Sequence, residues 1–121
     1  MKSMKSKKKL PLPKLLKKAQ IVFNKFIRER DKENGCISCG GPVQQAGHYR
    51  SQGQFSSLRF DPINVNGQCI RCNMFLHGNL IEYRKGLIKT YGESLVNDLE
   101  KLKGVYKWNR EELDNIIDFY E

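Results

Sequence analysis

The sequence predicts an α+β fold: a short, turn-rich extended centre stapled by a metal ion, flanked by one N-terminal helix and by C-terminal helices. Three observations carry that prediction. Two Cys-x-x-Cys pairs, Cys36/Cys39 and Cys69/Cys72, bracket the centre. On both sides of it, apolar residues recur at three- and four-residue spacing. Between the pairs this periodicity gives way to turn residues and short extended runs.

Residues 1–12 are rich in Lys and Ser, a composition that buries too little apolar surface to offset the entropy of ordering, and they read as a flexible basic arm. Residues 13–121 read as a single domain. Pro13 suits the first turn of a helix, and Leu16, Ala19, Val22, Phe23, Phe26 and Ile27 form an apolar stripe that runs to about Arg30. Asn34-Gly35 closes this helix and delivers the chain to the first cysteine pair. In the centre, Gly40-Gly41-Pro42 breaks the chain, and Gln44 to Tyr49 and Ser57 to Phe60 are expected strands. After Cys72, Asn79 with Glu82 reads as a capping box opening a helix that runs to Tyr91 and stops at Gly92. Leu95, Val96, Leu99 and Leu102 mark a further helix. A second capping box, Asn109 with Glu112, starts a last one whose apolar face is Leu113, Ile116, Ile117 and Tyr120.

The formal net charge is +9, so the summed field favours a polyanionic partner, with nucleic acid foremost. Five of the lysines, Lys2, Lys5, Lys7, Lys8 and Lys9, lie in the arm; the remaining excess of +4 belongs to the body. No apolar run approaches the ~18 residues of a membrane span, and no apolar signal core follows the basic start. An intracellular, cytoplasmic protein is therefore expected, in which four cysteines serve as metal ligands and not as disulfides.

Two intervening residues let both thiolates of a knuckle reach one tetrahedral ion, and two such knuckles complete a Zn²⁺ site. Cys36, Cys39, Cys69 and Cys72 are thus the predicted ligands of a closed, structural zinc. In a simple zinc ribbon the knuckles stand about 15 to 20 residues apart, whereas here 29 residues, Gly40 to Gln68, lie between them. That length holds Ala46-Gly47-His48-Tyr49-Arg50 and Leu58-Arg59-Phe60-Asp61-Pro62-Ile63-Asn64-Val65, and Asn73 directly follows the second knuckle. A strand His facing an amide oxygen at a helix start suits the activation of water beside a bound metal, which phosphodiester hydrolysis requires.

A knuckle, a strand His, an Asn five residues before the second knuckle and an Asn just after it resemble the outline of HNH (ββα-metal) endonucleases, including the zinc-bound endonuclease VII type. More closely, Cys-Ile-Ser-Cys-Gly, Ala-Gly-His-Tyr-Arg, Leu-Arg-Phe-Asp, Gln-Cys-x-x-Cys-Asn and Gly-Asn-Leu-x-x-Tyr-Arg resemble the phage lambda NinG (Rap) recombination protein family, from the first helix to Trp108 or beyond. The resemblance implies a structure-specific DNA endonuclease acting on branched intermediates such as Holliday junctions and D-loops, in a phage or prophage within a bacterial cell, together with phage recombination proteins. It implies His48 as general base, Asn64 as the residue that orients it or its loop, and Asn73 as a ligand of a catalytic Mg²⁺ or Mn²⁺. A neutral imidazole, with an ordinary pKa of about 6.5, can take a proton from water near neutral pH.

Two departures stand out. Many HNH sites carry Asp or His just before the base as a second metal ligand, but here that residue is Gly47. Asp61 is a candidate replacement, with a turn-capping role before Pro62 as its alternative. Longer members of the family carry an additional cysteine-rich N-terminal segment with no counterpart in these 121 residues, an expected source of altered substrate choice.

Arg50 and Arg59 flank the proposed base and are the expected phosphate contacts of the body, with Lys7, Lys8 and Lys9 tracking the DNA backbone. His77 reads as a solvated turn residue, Asn73 as either a helix cap or a ligand, and Tyr83, Tyr91, Trp108 and Phe119 as core. A four-way junction's approximate two-fold symmetry favours a homodimer. The rival function is a non-catalytic zinc-finger DNA-binding accessory factor on the same fold. A third, an RNA-binding zinc ribbon, shares the charge but has no residue that selects RNA.

Overall fold

The computed structural model of the chain describes residues 10–102 and 104–121. The elements follow in the order α1 (Leu12–Asp31), β1 (Gln45–His48), a 3-10 turn (Ser56–Leu58), β2 (Val65–Gln68), a π-helical turn (Arg71–Phe75), α2 (Leu80–Tyr91), α3 (Glu93–Lys101) and α4 (Arg110–Tyr120). The lysines assigned to the arm, Lys7, Lys8 and Lys9 among them, lie outside the described residues.

In α1, Leu15, Ala19, Phe23, Ile27 and Asp31 recur every four residues and are buried. The buried stripe is rotated slightly from the expected one, since Leu16 and Val22 are half-buried and Phe26 is exposed. The helix begins at Leu12, Leu10 packs against the core, and the Leu10 carbonyl accepts from Arg110 Nη2 at 2.6 Å. Residues 10–12 therefore belong to the fold and not to an arm. At the other end, the Asn34 and Gly35 N–H groups both reach the Asp31 carbonyl, and Gly35 has φ +88°, where a Cβ would come within 2.8 Å of the Gly40 carbonyl oxygen.

β1 and β2 form a two-stranded antiparallel sheet with Gln45 opposite Gln68, Ala46 opposite Gly67, Gly47 opposite Asn66 and His48 opposite Val65. Successive residues alternate faces. Ala46 and Val65 therefore turn to α1, and Gln45, Gly47, Asn66 and Gln68 turn to the opposite side, where the second knuckle and α2 lie. The strand expected at Ser57 to Phe60 does not form. Leu58 and Phe60 would share one face of a strand, but each is buried in a different core, and the 3-10 turn is what sends them apart. The true partner strand, Val-Asn-Gly-Gln, has one strand-forming residue in four, yet all four are buried because Asn66 and Gln68 find polar partners there.

Two cores result. Leu15, Ala19, Phe23 and Ile27 of α1, Leu113 and Ile117 of α4, Phe60 and Val65 form one. Its aromatic seam sets Phe23 edge-on to Phe60 at 5.7 Å and to Tyr120 at 4.7 Å. Tyr83 and Leu87 of α2, Val96 and Leu99 of α3, and Leu58 form the other. Of the aromatics expected in the core, Phe119 is instead 80% exposed, on the outer face of α4.

The capping box at Asn109 forms, with Asn109 Oδ1 accepting from the Glu112 N–H at 2.8 Å and Glu112 Oε1 from the Asn109 N–H at 3.0 Å. The one expected at Asn79 does not. His77, Gly78 and Asn79 have φ of +51°, +94° and +47°, and this left-handed run turns the Asn79 amide toward the sulfur of Cys72, at 3.5 Å, away from the helix N-terminus.

Candidate functional site

The two knuckles bring Cys36, Cys39, Cys69 and Cys72 together with all four sulfurs within 4.8 Å of one another. Cys39 Sγ and Cys69 Sγ stand 3.7 Å apart, close to the ~3.8 Å edge of a tetrahedron with zinc–sulfur bonds of about 2.3 Å. Backbone N–H groups of Gly41 and Cys72 point at Cys39 Sγ and Cys69 Sγ, each at 3.4 Å; at Cys39 the Gly41 bond favours the thiolate, but burial and the Cys69 and Cys36 sulfurs leave the thiol above its ordinary value. Burial opposes ionising Cys69, but the Cys72 N–H and the neighbouring sulfurs outweigh it and bring the thiol down to about 7. This cluster has the geometry and the donor chemistry to hold a structural metal such as zinc.

Beside it lies a face of side-chain amides. Gln45 donates to Met74 Sδ at 3.4 Å and accepts from Asn73 Nδ2 at 2.7 Å, which leaves Asn73 Oδ1 turned toward Gly47. Asn73 sits in the middle of the π-helical turn and so caps no helix. Gln68, fully buried, donates to Ser38 Oγ and to the Gly78 carbonyl, both at 2.8 Å, and its Oε1 has no hydrogen-bond partner among the described residues. A Cβ on Gly47 would lie 1.8 Å from Gln68 Oε1 and 2.8 Å from Asn73 Oδ1. Position 47 is glycine because these amides fill the space of a side chain.

His48 ends β1 on the other face of the sheet. Its Nε2 lies 3.1 Å from the Arg59 carbonyl oxygen, and because a carbonyl only accepts, Nε2 carries the proton and Nδ1 keeps a lone pair. Burial pushes the imidazole below its ordinary value; the bond to the Arg59 carbonyl works against that, and the nearby Arg59 charge adds a smaller push downward. The ring is neutral at pH 7.

Asn64 does not bond to His48. Its amide accepts from the Arg50 N–H at 2.8 Å and donates to the Arg50 and Leu58 carbonyls at 3.1 and 3.2 Å, clamping both ends of the loop that leads to Arg59. Asp61 takes the turn-capping role, its Oδ1 accepting from the Ile63 N–H at 2.8 Å, and it joins no group of potential ligands among the described residues. Arg59 Nε donates to Gln20 on α1 at 2.6 Å, and the Arg50 guanidinium lies over the rings of Tyr49 and Phe55 at 5.2 and 5.5 Å. His77 is an exposed turn residue.

Three side chains tie these parts together: Tyr83, expected only as core, and Arg30 and Asp31, which the sequence did not single out. Tyr83, fully buried on α2, donates to the Gly47 carbonyl at 2.7 Å and lies 3.3 Å from the Asn66 amide. Arg30 forks onto Asp31 at 2.7 and 2.8 Å and reaches the Pro62 carbonyl at 2.8 Å, while Asp31 Oδ2 accepts from the Gly67 N–H at 2.8 Å. The one available signal was Gln68 within Gln-Cys-x-x-Cys-Asn: a glutamine next to a buried knuckle needs partners.

The model of one protein family, described as the bacteriophage lambda NinG protein, matches residues 1–121. "Protein ninG" of Escherichia phage 933W is 42% identical over 100 residues, which cover 80% of this chain and 50% of that protein. The proteins of the same name from Salmonella phage P22 and Escherichia phage lambda are 40% and 39% identical over 109 residues, 88% of this chain and 54% and 53% of theirs. The chain thus spans about half the length of the curated relatives it matches. No solved structure matches it. Among the described residues, no helix is long and apolar enough to cross a membrane.

Proposed function

The chain belongs to the NinG family, and from that premise we propose that it is a metal-dependent DNA endonuclease of the HNH type, cutting branched recombination intermediates. The observation that carries this reading is the state of His48. A neutral imidazole whose proton is committed to the Arg59 carbonyl has its lone pair on Nδ1, as a general base for water requires. Water would lose its proton to Nδ1 as its oxygen bonds to phosphorus; the bond from phosphorus to the leaving sugar oxygen then breaks, that oxygen takes a proton from solvent water, and the imidazolium returns its own to solvent.

A divalent ion beside Asn73 would neutralise charge on the scissile phosphate and the leaving oxygen. The residues present fit such a group: Asn73 Oδ1 has no hydrogen-bond donor among the described residues, and Mg²⁺ and Mn²⁺ take oxygen ligands. Gly47 and His48 face opposite sides of the sheet, but both lie at the end of β1, where a phosphate can meet groups from either face. The cysteine cluster would hold this end of the molecule in shape.

The rival reading is a non-catalytic DNA-binding accessory factor, favoured by the lack of a side chain at Gly47. Cleavage of labelled four-way junction and linear duplex in Mg²⁺ or Mn²⁺ separates the two, with zinc content and binding checked for wild type and His48→Ala. Junction cleavage by wild type, and binding without cleavage by His48→Ala, is the expected outcome. Equal binding with no cleavage by either zinc-loaded protein would replace this proposal with its rival, and preference for duplex RNA over branched DNA would remove both.

A further inference from the structure

Two side-chain amide oxygens converge on one small space, since a Cβ built on Gly47 would lie 1.8 Å from Gln68 Oε1 and 2.8 Å from Asn73 Oδ1. The Gly78 carbonyl and Ser38 hydroxyl fix the Gln68 amide so that Oε1 lies against Gly47, and the Gln45 side-chain oxygen, Oε1, does the same for Asn73 and its Oδ1. Gln68 is 0% exposed and its Oε1 is unpartnered among the described residues. An acceptor in that position bears an uncompensated desolvation cost, and a second acceptor directed at the same point adds repulsion. A cation relieves both. Gly47 makes room for this convergence, because any Cβ there would collide with Gln68 Oε1.

We propose that Gln68 Oε1 is a protein ligand of the divalent cation, supplying together with Asn73 Oδ1 the oxygen that Gly47 cannot. The site takes a hard, oxygen-preferring ion such as Mn²⁺ or Mg²⁺ through neutral amide oxygens, where a carboxylate or imidazole at position 47 would otherwise serve. The proposal rests on the nuclease reading for the ion's role, but it concerns binding and is tested by binding.

The experiment titrates the full chain, zinc-loaded and carrying His48→Ala, with Mn²⁺, following the free-ion signal by electron paramagnetic resonance. Asn73→Ala and Gln68→Ala, each added to that background, are both expected to weaken Mn²⁺ binding by about tenfold or more, at least the scale seen when a residue supporting a ligand is lost. Unchanged affinity in Gln68→Ala, with loss in Asn73→Ala, would overturn the role of Gln68 and leave the nuclease reading standing. Absence of Mn²⁺ binding in the His48→Ala parent would overturn both.

Because Gln68→Ala also removes two hydrogen bonds, a compensating pair is included. Gly47→Asp alone collides with Gln68 and is expected to lose Mn²⁺ binding; Gly47→Asp with Gln68→Ala puts a carboxylate into the vacated space and is expected to regain it. A folded, zinc-loaded double variant that binds no Mn²⁺ would refute the assignment. Loss of zinc from both Gln68→Ala and the double variant would give Gln68 a purely structural role and refute it equally.

Discussion

Asn64 is the residue whose replacement tests most directly how the His48 site is held. It is 0% exposed, and its three side-chain bonds all go to backbone, to the Arg50 N–H at 2.8 Å and to the Arg50 and Leu58 carbonyls at 3.1 and 3.2 Å. Asn64→Ala leaves those groups unpaired. At about 1 kcal/mol for each bond lost in a largely buried setting, the cost is roughly 3 kcal/mol. For a domain of this size that corresponds to a fall in Tm of about 10–15 °C. Asn64→Asp sharpens the test, since it keeps the acceptor toward the Arg50 N–H but sets a carboxylate oxygen against two carbonyls. It is therefore expected to destabilise at least as much as alanine, although its shape is nearly that of asparagine. The assay is thermal unfolding followed by far-UV circular dichroism with zinc in fixed excess. An alanine variant within about 0.5 kcal/mol of wild type, or an aspartate variant clearly more stable than the alanine one, would refute the clamp.

Three further predictions follow from the geometry. Removing the metal with a strong zinc chelator is expected to unfold the centre, since a four-thiolate zinc contributes on the order of 10–16 kcal/mol of binding energy to folding; a dichroism spectrum unchanged as zinc is released would contradict it. If His48 is the base, cleavage needs its neutral form, and because burial lowers its pKa below 6.5, the rate is full near neutrality and falls only as pH drops through a value under 6.5. A pH–rate profile with its acidic midpoint above 6.5 would exclude this. Gly86→Ala is expected to destabilise by about 1–3 kcal/mol through overpacking, because a Cβ there comes within 2.0 Å of the Ile37 carbonyl oxygen; a higher Tm, the result helix propensity alone predicts, would show that α2 does not lie so close to the first knuckle.

The parts of this molecule that obey periodicity or fixed spacing were readable in advance. α1, α2, α3 and α4 announce themselves by apolar stripes and by Asn34-Gly35, Gly92 and the Asn109/Glu112 box, and the four-cysteine cluster by two matched knuckles. β2 was not readable, because Asn66, Gly67 and Gln68 are poor strand formers whose burial depends on partners distant in sequence: Tyr83, Asp31, Ser38 and Gly78. Asn79 misled for a related reason. Its position before a helix fits a cap, but its backbone conformation is set by the tight return from the second knuckle. At the site, the sequence drew notice to Gly47 but not to what stands against it, the Gln68 amide on the neighbouring strand. A side chain that fills the space of its neighbour's missing one leaves no trace in spacing.

The pairing of α1 with α4 has a consequence for how the chain assembles during synthesis. Phe23 and Ile27 are made before the knuckles, yet their packing partners Leu113, Ile117 and Tyr120 come almost a hundred residues later. The knuckles, by contrast, are complete once Cys72 has emerged. Translation therefore produces the metal-binding middle first, while the stripe on α1 waits in water for its cover. Such long-range closure is slow and leaves an apolar surface open to other chains. An early-captured metal ion would hold the two halves of the molecule in register until the last helix arrives to join them.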